Sequence, residues 1–242
     1  MIAKATCDIV LIGVGGQGIL TIGEILVDAA IAHGVPATFS PTKGMAQRGG
    51  FVKAELRLGA GDVGPRIRAG GADAVVAMER SESLKGLPFA KPGGVFVLYD
   101  AVWEPTGVML GMDEYPAREH VVAAIAASGA RLVLLDPAAR PTIGGKPASP
   151  NVFTLGALVA ATALSNLLGA SAVEKAVSSR WPKAAEANLQ ALRSGCDAAR
   201  AAGDSSATRV TGNSPSSELR SSSRKRELHA EEGEAPSPGS PW

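Results

Sequence analysis

The chain has 242 residues, 45% of them hydrophobic and 19% charged, so it is long enough for one domain with a sizeable core. With 24 Lys+Arg against 23 Asp+Glu it lacks the basic excess that nucleic acid or an anionic membrane surface would require. Cys7 and Cys196 are too few for a disulfide framework or an all-cysteine iron–sulfur cluster, which points to a reducing, cytoplasmic setting.

Met1–Val10 lacks the long apolar stretch and small-residue cleavage site of a signal peptide. Cys7–Gly13 is a short, continuous apolar run ending at glycines, the pattern of a buried strand. Ile19, Ile22, Ile25, Leu26 and Ala29 then recur at helical spacing, predicting a helix from Gln17 to about His33 with Gly34 and Pro36 as its stop. Ala37–Ser40 reads as a short strand. Phe51–Leu58 alternates apolar residues with Lys53, Glu55 and Arg57 and predicts a half-exposed one. Ala74–Met78 and Val95–Tyr99 are buried-strand candidates, separated by a polar helical stretch that ends before Pro88. Arg118–Ser128 predicts a helix and Arg131–Leu135 a further buried strand. This alternation predicts an α/β fold, doubly wound in the Rossmann-like manner around a mainly parallel sheet.

From Asn151 the chain reads as helices at Asn151–Leu168, Ala172–Ser179 and Pro182–Ala202. Pro147–Val173 carries no charge, but its Asn, Thr and Ser residues and its Ala and Gly content favour a core helix, packed closely through Gly156, Ala160 and Ala163, over a membrane span. Composition changes after Gly203. Residues 1–203 predict the folded domain and 204–242 a Ser/Pro/Glu/Arg-rich disordered tail, in which the acidic residues after Arg224-Lys225-Arg226 cancel that basic cluster.

Two segments carry candidate chemistry. Gly13-Val14-Gly15-Gly16-Gln17-Gly18 is a G-x-G-x-x-G turn between a strand and a helix, where backbone N–H groups at a helix N-terminus can receive a phosphate. The same glycines also serve close helix-on-sheet packing. A dinucleotide site of the NAD type would place an acidic residue at the end of the second strand. Thr38–Lys43 supplies only neutral or basic residues, which shifts the expectation towards NADP or another phosphorylated adenosine carrier such as coenzyme A. The second segment, Lys43-Gly44-Met45-Ala46-Gln47-Arg48-Gly49-Gly50, is a basic glycine-rich loop in which Arg48 offers a planar fork to phosphate or carboxylate; an ordinary surface loop is the plainer alternative. The candidate cofactor-binding residues are therefore Gly13, Gly15, Gly16, Gln17, Gly18, Lys43, Gln47, Arg48, Gly49 and Gly50, with no catalytic residue and no metal ligand among them.

The remaining chemistry-bearing residues have bland readings. His33, His120 and His229 lack metal-ligand spacing, Cys7 reads as a core residue, and Asp197 discourages a thiolate at Cys196. Glu79-Arg80-Ser81-Glu82 ends a strand where open α/β sheets bind ligands, although a solvated helix start capped by Ser81 explains it as well.

GVGGQGILTIGEIL followed by PTKGMAQRGGFVKAELRLG resembles the gamma-type subunits of 2-oxoacid:ferredoxin oxidoreductases, and the QRGG form is most similar to the small (beta) subunit of indolepyruvate oxidoreductases. The resemblance spans about residues 7–200, with Asn151–Gly156 and Glu186–Leu189 as supporting motifs. It implies a noncatalytic subunit of a hetero-oligomer that oxidatively decarboxylates 2-oxoacids, such as the aryl pyruvate indolepyruvate, to acyl-CoA. Thiamine diphosphate, magnesium and iron–sulfur clusters would lie on a large catalytic partner, with ferredoxin or a related acceptor taking the electrons and this chain shaping the coenzyme A channel. The tail after Gly203 departs from the family pattern. A freestanding NADP-dependent oxidoreductase and a ligand-free regulatory or scaffold module remain the alternatives.

Overall fold

The computed structural model describes residues 6–43, 50–59, 63–104 and 106–207. Strand β1 (Cys7–Val14) leads through the glycine turn into helix α1 (Ile19–Ala32), and β2 (Ala37–Lys43) and β3 (Phe51–Leu58) follow. Next come β4 (Ala72–Ala77), a 3-10 helix (Glu82–Phe89), β5 (Ala90–Tyr99), the single-turn α2 (Thr106–Met109), α3 (Arg118–Ala127) and β6 (Arg131–Leu135). A small hairpin, β7 (Thr142–Ile143) and β8 (Lys146–Pro147), precedes α4 (Pro150–Ala161), α5 (Leu164–Leu168), α6 (Ala170–Arg180) and α7 (Ala185–Ala207).

The six-stranded sheet has the order β2-β3-β1-β4-β5-β6. β1, β4, β5 and β6 pair in parallel, while β3 lies antiparallel to both β1 and β2. Along β1, Ile9 and Leu11 enter the core on one face, and Val10 and Ile12 the core on the other. A strand covered on both faces has no polar side, which is why CDIVLIGV is continuously apolar. The first face is covered by α1, α4, α6 and α7, the second by the 3-10 helix and α3.

β3 turns Val52, Ala54, Leu56 and Leu58 to the first core, as its alternation predicts. Its other face is less exposed than that alternation implies. Glu55 is buried, accepting from Ile67 N at 2.5 Å and pairing with Lys53 at 2.9 Å and Arg66 at 3.3 Å. Burial pushes the Glu55 carboxyl up, but these bonds outweigh it and hold the group below the usual carboxylate range. Arg57 grips Asp8 on the neighbouring strand with Nε and Nη2, each 2.9 Å from a carboxylate oxygen, where the antiparallel register sets the two residues opposite each other.

α4 and α7 pack most closely through two glycines. A Cβ on Gly156 would run into the Leu192 carbonyl, and one on Gly195 into that of Phe153. The apolar stretch from Pro147 is thus a core helix, and no helix among the described residues is long and apolar enough to cross a membrane. α4 is shorter than the single helix expected to Leu168. Thr162 leaves helical geometry, its hydroxyl bonding Leu158 O at 2.7 Å, and α5 starts afresh. α7 runs past the expected boundary at Gly203 to Ala207; the rest of the expected tail, with Arg224–Arg226 and His229, lies outside the described residues.

Candidate functional site at the carboxyl edge

Helix α1 follows β1 on one face of the sheet and the 3-10 helix follows β4 on the other, so the chain diverges between these neighbouring parallel strands. Such a divergence opens a crevice outside the carboxyl ends of the strands, where open α/β sheets take their ligands. Here it is a cleft of about 390 Å³, lined by Gly16, Gln17, Gly18, Met78, Tyr99 and Trp103, with Ser149-Pro150-Asn151 at the start of α4.

The glycine turn is held by side chains as much as by its glycines. Gln17 Oε1 accepts from Val14 N at 2.8 Å, and its Nε2 donates to Met78 O at 2.7 Å, tying the end of β1 to the chain leaving β4. A Cβ on Gly13 would stand 2.9 Å from Gln17 Oε1, so that glycine makes room for the brace. Gly18 begins α1 in the left-handed region with φ +76°, and a Cβ there would meet Asn151 Nδ2 at 2.5 Å. Asn151 Oδ1 accepts from Ser149 Oγ at 2.6 Å and from Val152 N at 3.0 Å. Gly16, with φ +106°, has open space where a Cβ would be.

The two expected segments meet. Gly15 N donates to Gly50 O at 2.8 Å, and β2 ends at Lys43 on the edge where β1 ends and β3 begins. Gln47, Arg48 and Gly49 lie outside the described residues.

The cleft borders a buried ionic network that sequence reasoning left as a solvated helix start. Glu79 is fully buried and accepts from Ser81 Oγ at 2.7 Å, Glu82 N at 2.7 Å, Trp103 N at 3.2 Å and the Tyr115 hydroxyl. Ser81 holds the N-cap position but its side chain makes no capping bond; its hydroxyl donates to Glu79, whose carboxylate receives the first N–H of the 3-10 helix. Burial and the Glu79 carboxylate push the Tyr115 phenol well above its ordinary value, so it stays a donor. Asp100, at the end of β5, receives Arg80 Nε and Arg118 Nε, each at 2.6 Å. Burial raises the Asp100 pKa, but the two guanidinium bonds outweigh this and lower it below the usual range. The available signal was Tyr115 and Arg118 lying beyond the next strand, but nothing local links them to Glu79.

Cys7 is buried in β1, and burial, with Asp73 and Asp8 nearby, pushes its thiol up to about 12. Cys196 is half-buried with Sγ 3.2 Å from Gly156 O, and burial raises it too. His33 and His120 are exposed at helix ends. The described residues contain no group of three His, Cys, Asp or Glu side chains that could hold a metal ion.

The NADP expectation meets a geometric difficulty. β3 lies between β1 and β2, which moves the end of β2 two strand spacings, about 10 Å, from the glycine turn. A dinucleotide bound across β1 and an adjacent second strand would meet β3 there instead.

Fold and site together define an α/β domain with a cleft at its chain divergence and an antiparallel strand inserted beside β1. Residues 8–198 match the family described as pyruvate ferredoxin/flavodoxin oxidoreductase, and the chain belongs to that family. It is 32% identical to indolepyruvate oxidoreductase subunit IorB of Archaeoglobus fulgidus, covering 78% of this chain and 92% of that one. Against IorB of Pyrococcus horikoshii identity is 30%, with coverage of 80% and 96%. Among solved structures, the gamma subunit of a keto/oxoacid ferredoxin oxidoreductase from Geobacter sulfurreducens is 27% identical with a TM-score of 0.54, covering 81% of this chain and 99% of that one. The pyruvate oxidoreductase subunit PORC of Thermotoga maritima shares the fold at TM-score 0.60 and 22% identity, covering 80% and 97%.

Proposed function

We propose that this chain is the noncatalytic small subunit of a 2-oxoacid oxidoreductase of the indolepyruvate type, working beside a larger catalytic subunit in the cytoplasm. The observation that carries the reading is the near end-to-end match to separate IorB subunits, 92% and 96% of whose lengths this chain covers. Decarboxylation of the 2-oxoacid then belongs to thiamine diphosphate on the partner, with acyl transfer to coenzyme A and the electrons leaving through iron–sulfur clusters to ferredoxin or a related acceptor.

This chain's own part is at the carboxyl edge. Gln17 and Asn151 hold the glycine turn, Gly16 leaves backbone open to the cleft, and to Arg48, in the chain that joins the described Lys43 and Gly50, we assign the contact with a phosphate of coenzyme A. The assembling unit is the domain expected over 1–203, extended by α7 to Ala207, and removal of the chain beyond it is expected to leave assembly intact.

The test is affinity capture of the full chain from its own cells, followed by assay of coenzyme-A-dependent decarboxylation over a panel of 2-oxoacids that includes indolepyruvate. The captured complex is expected to contain a thiamine-diphosphate subunit and to be active, and the isolated chain to be inactive. Decarboxylation by the isolated chain with thiamine diphosphate and magnesium, or NADPH-dependent turnover by it alone, would overturn the proposal.

A further inference from the structure

The segment between β5 and α3 holds large apolar side chains out in solvent. Val102 and Trp103 are half exposed, and Met109, Leu110 and Met112 are 70%, 67% and 76% exposed. Single exposed apolar residues are ordinary; five gathered on one short connection mark an interaction site.

This connection is not slack chain. Gly111, with φ +69°, donates to Val108 O at 2.9 Å and Met112 N to Gly107 O at 2.8 Å, the paired bonds of a Schellman ending to α2. In that motif the residue at the Met112 position commonly folds back on its helix; here it remains exposed. Both ends of the segment are anchored in the buried network. Arg80 N donates to Ala101 O at 2.9 Å and Trp103 N to Glu79, while Tyr115 and Arg118 bond Glu79 and Asp100 from the other end. Apolar groups on a frame already ordered lose little further entropy when covered, and Met and Trp are enriched at interfaces.

The charges around them specify what covers them. Glu104, Asp113 and Glu114 on the same connection, and Glu119 at the start of α3, are exposed, and Arg118 beside them in sequence is committed to Asp100. A complementary surface is apolar and bordered by Lys and Arg. Trp103 also lines the cleft, so a partner seated here reaches the cleft mouth. We infer that Val102, Trp103, Met109, Leu110 and Met112 form the knob by which this chain docks onto the larger catalytic subunit, against an apolar face with a basic border. The inference rests on the subunit reading above.

The full tagged chain is co-expressed with the large subunit, and recovery of that subunit is compared for wild type, Met109→Glu/Met112→Glu, Leu110→Asp, and Ile31→Glu, an exposed site on α1. Recovery is expected to fall at least tenfold for the knob variants and stay unchanged for Ile31→Glu, with the melting temperature of each isolated chain within about 2 °C of wild type. Glu114→Lys is expected to make assembly weaker and less sensitive to salt. Undiminished recovery with correctly folded knob variants overturns the docking inference alone, as does a self-associated wild-type chain that these variants turn monomeric. Failure of the wild-type chain to recover any large subunit overturns the subunit reading instead.

Discussion

Glu79→Gln tests whether the network behind the cleft is assembled as the distances imply. The carboxylate is fully buried and accepts from Ser81 Oγ, Glu82 N, Trp103 N and the Tyr115 hydroxyl. Glutamine keeps the shape but has one acceptor oxygen, so one side of the group must turn an NH2 towards donors. Facing the NH2 to Ser81 and the 3-10 helix would orphan Glu82 N, whose 2.7 Å bond is short. Facing it to Tyr115 is cheaper, because that hydroxyl can rotate to accept and only Trp103 N, bonded at 3.2 Å, loses its partner.

The bond is part-buried, and an N–H left unpaired in such a place costs about 1–3 kcal/mol, so the variant should lose about 2 kcal/mol. In a domain of this size that is a fall of about 4–8 °C in melting temperature. Tyr115→Phe removes one donor and leaves the carboxylate three, so it should cost about 1 kcal/mol. Because the two side chains bond each other, the double variant should lose less than the sum of the singles by at least about 0.5 kcal/mol. Hydrogen exchange gives the local readout: the Trp103 amide should exchange faster in Glu79→Gln than in wild type. A variant melting within 1 °C of wild type, with Trp103 protection unchanged, would refute the buried four-donor arrangement.

Gly156→Ala should lower stability by about 3 kcal/mol, since a methyl group there meets the Leu192 backbone rather than a movable side chain; thermal unfolding measures it, and a loss under 0.5 kcal/mol would mean the helices separate freely. Asp100 has a folded pKa below its unfolded value near 4, so its contribution is present above that value and lost as pH falls through the folded one. Asp100→Asn is therefore expected to be less stable than wild type at pH 7, with the gap closing below about pH 4 in denaturant titrations; a gap independent of pH would remove the ion pairs from the account. Arg48→Ala in the reconstituted complex should raise the KM for coenzyme A about ten- to a hundredfold without loss of assembly, the range of one charge-assisted bond. An unchanged KM would reduce the basic loop to an ordinary surface loop.

What could be read from the sequence is what local pattern encodes. Phe51–Leu58 and Arg131–Leu135 are strands over those same residues, because alternation in one and a compact apolar run in the other leave little choice of boundary. β5 is longer than its apolar run Val95–Tyr99: it begins at Ala90, yet Lys91-Pro92-Gly93-Gly94 has the composition of a turn. The pairing of Ala72 with Ala90 before a register shift admits that irregular stretch into the strand. The insertion of β3 between β1 and β2 is not written locally at all; it shows in the match of Asp8 to Arg57 across 49 residues of chain. The burial of Glu79 is not written locally for the same reason, since Trp103 and Tyr115, which bond it, belong to a distant segment.

The G-x-G-x-x-G match shows how a motif can be right in place and different in use. Gly13 admits the Gln17 carboxamide and Gly18 the Asn151 carboxamide, while Gly15 spends its N–H on Gly50. Those three glycines answer to packing and to the meeting of the two loops, and Gly16 is left facing open space. A pyrophosphate laid along the turn, as in a dinucleotide site, needs the whole run of backbone to be approachable and a second strand next to β1. Here Asn151 covers one end of the run and β3 occupies the place of that strand. A ligand can therefore be met at one point of the turn rather than cradled along it, which suits the role proposed above, one wall of a site completed by a partner.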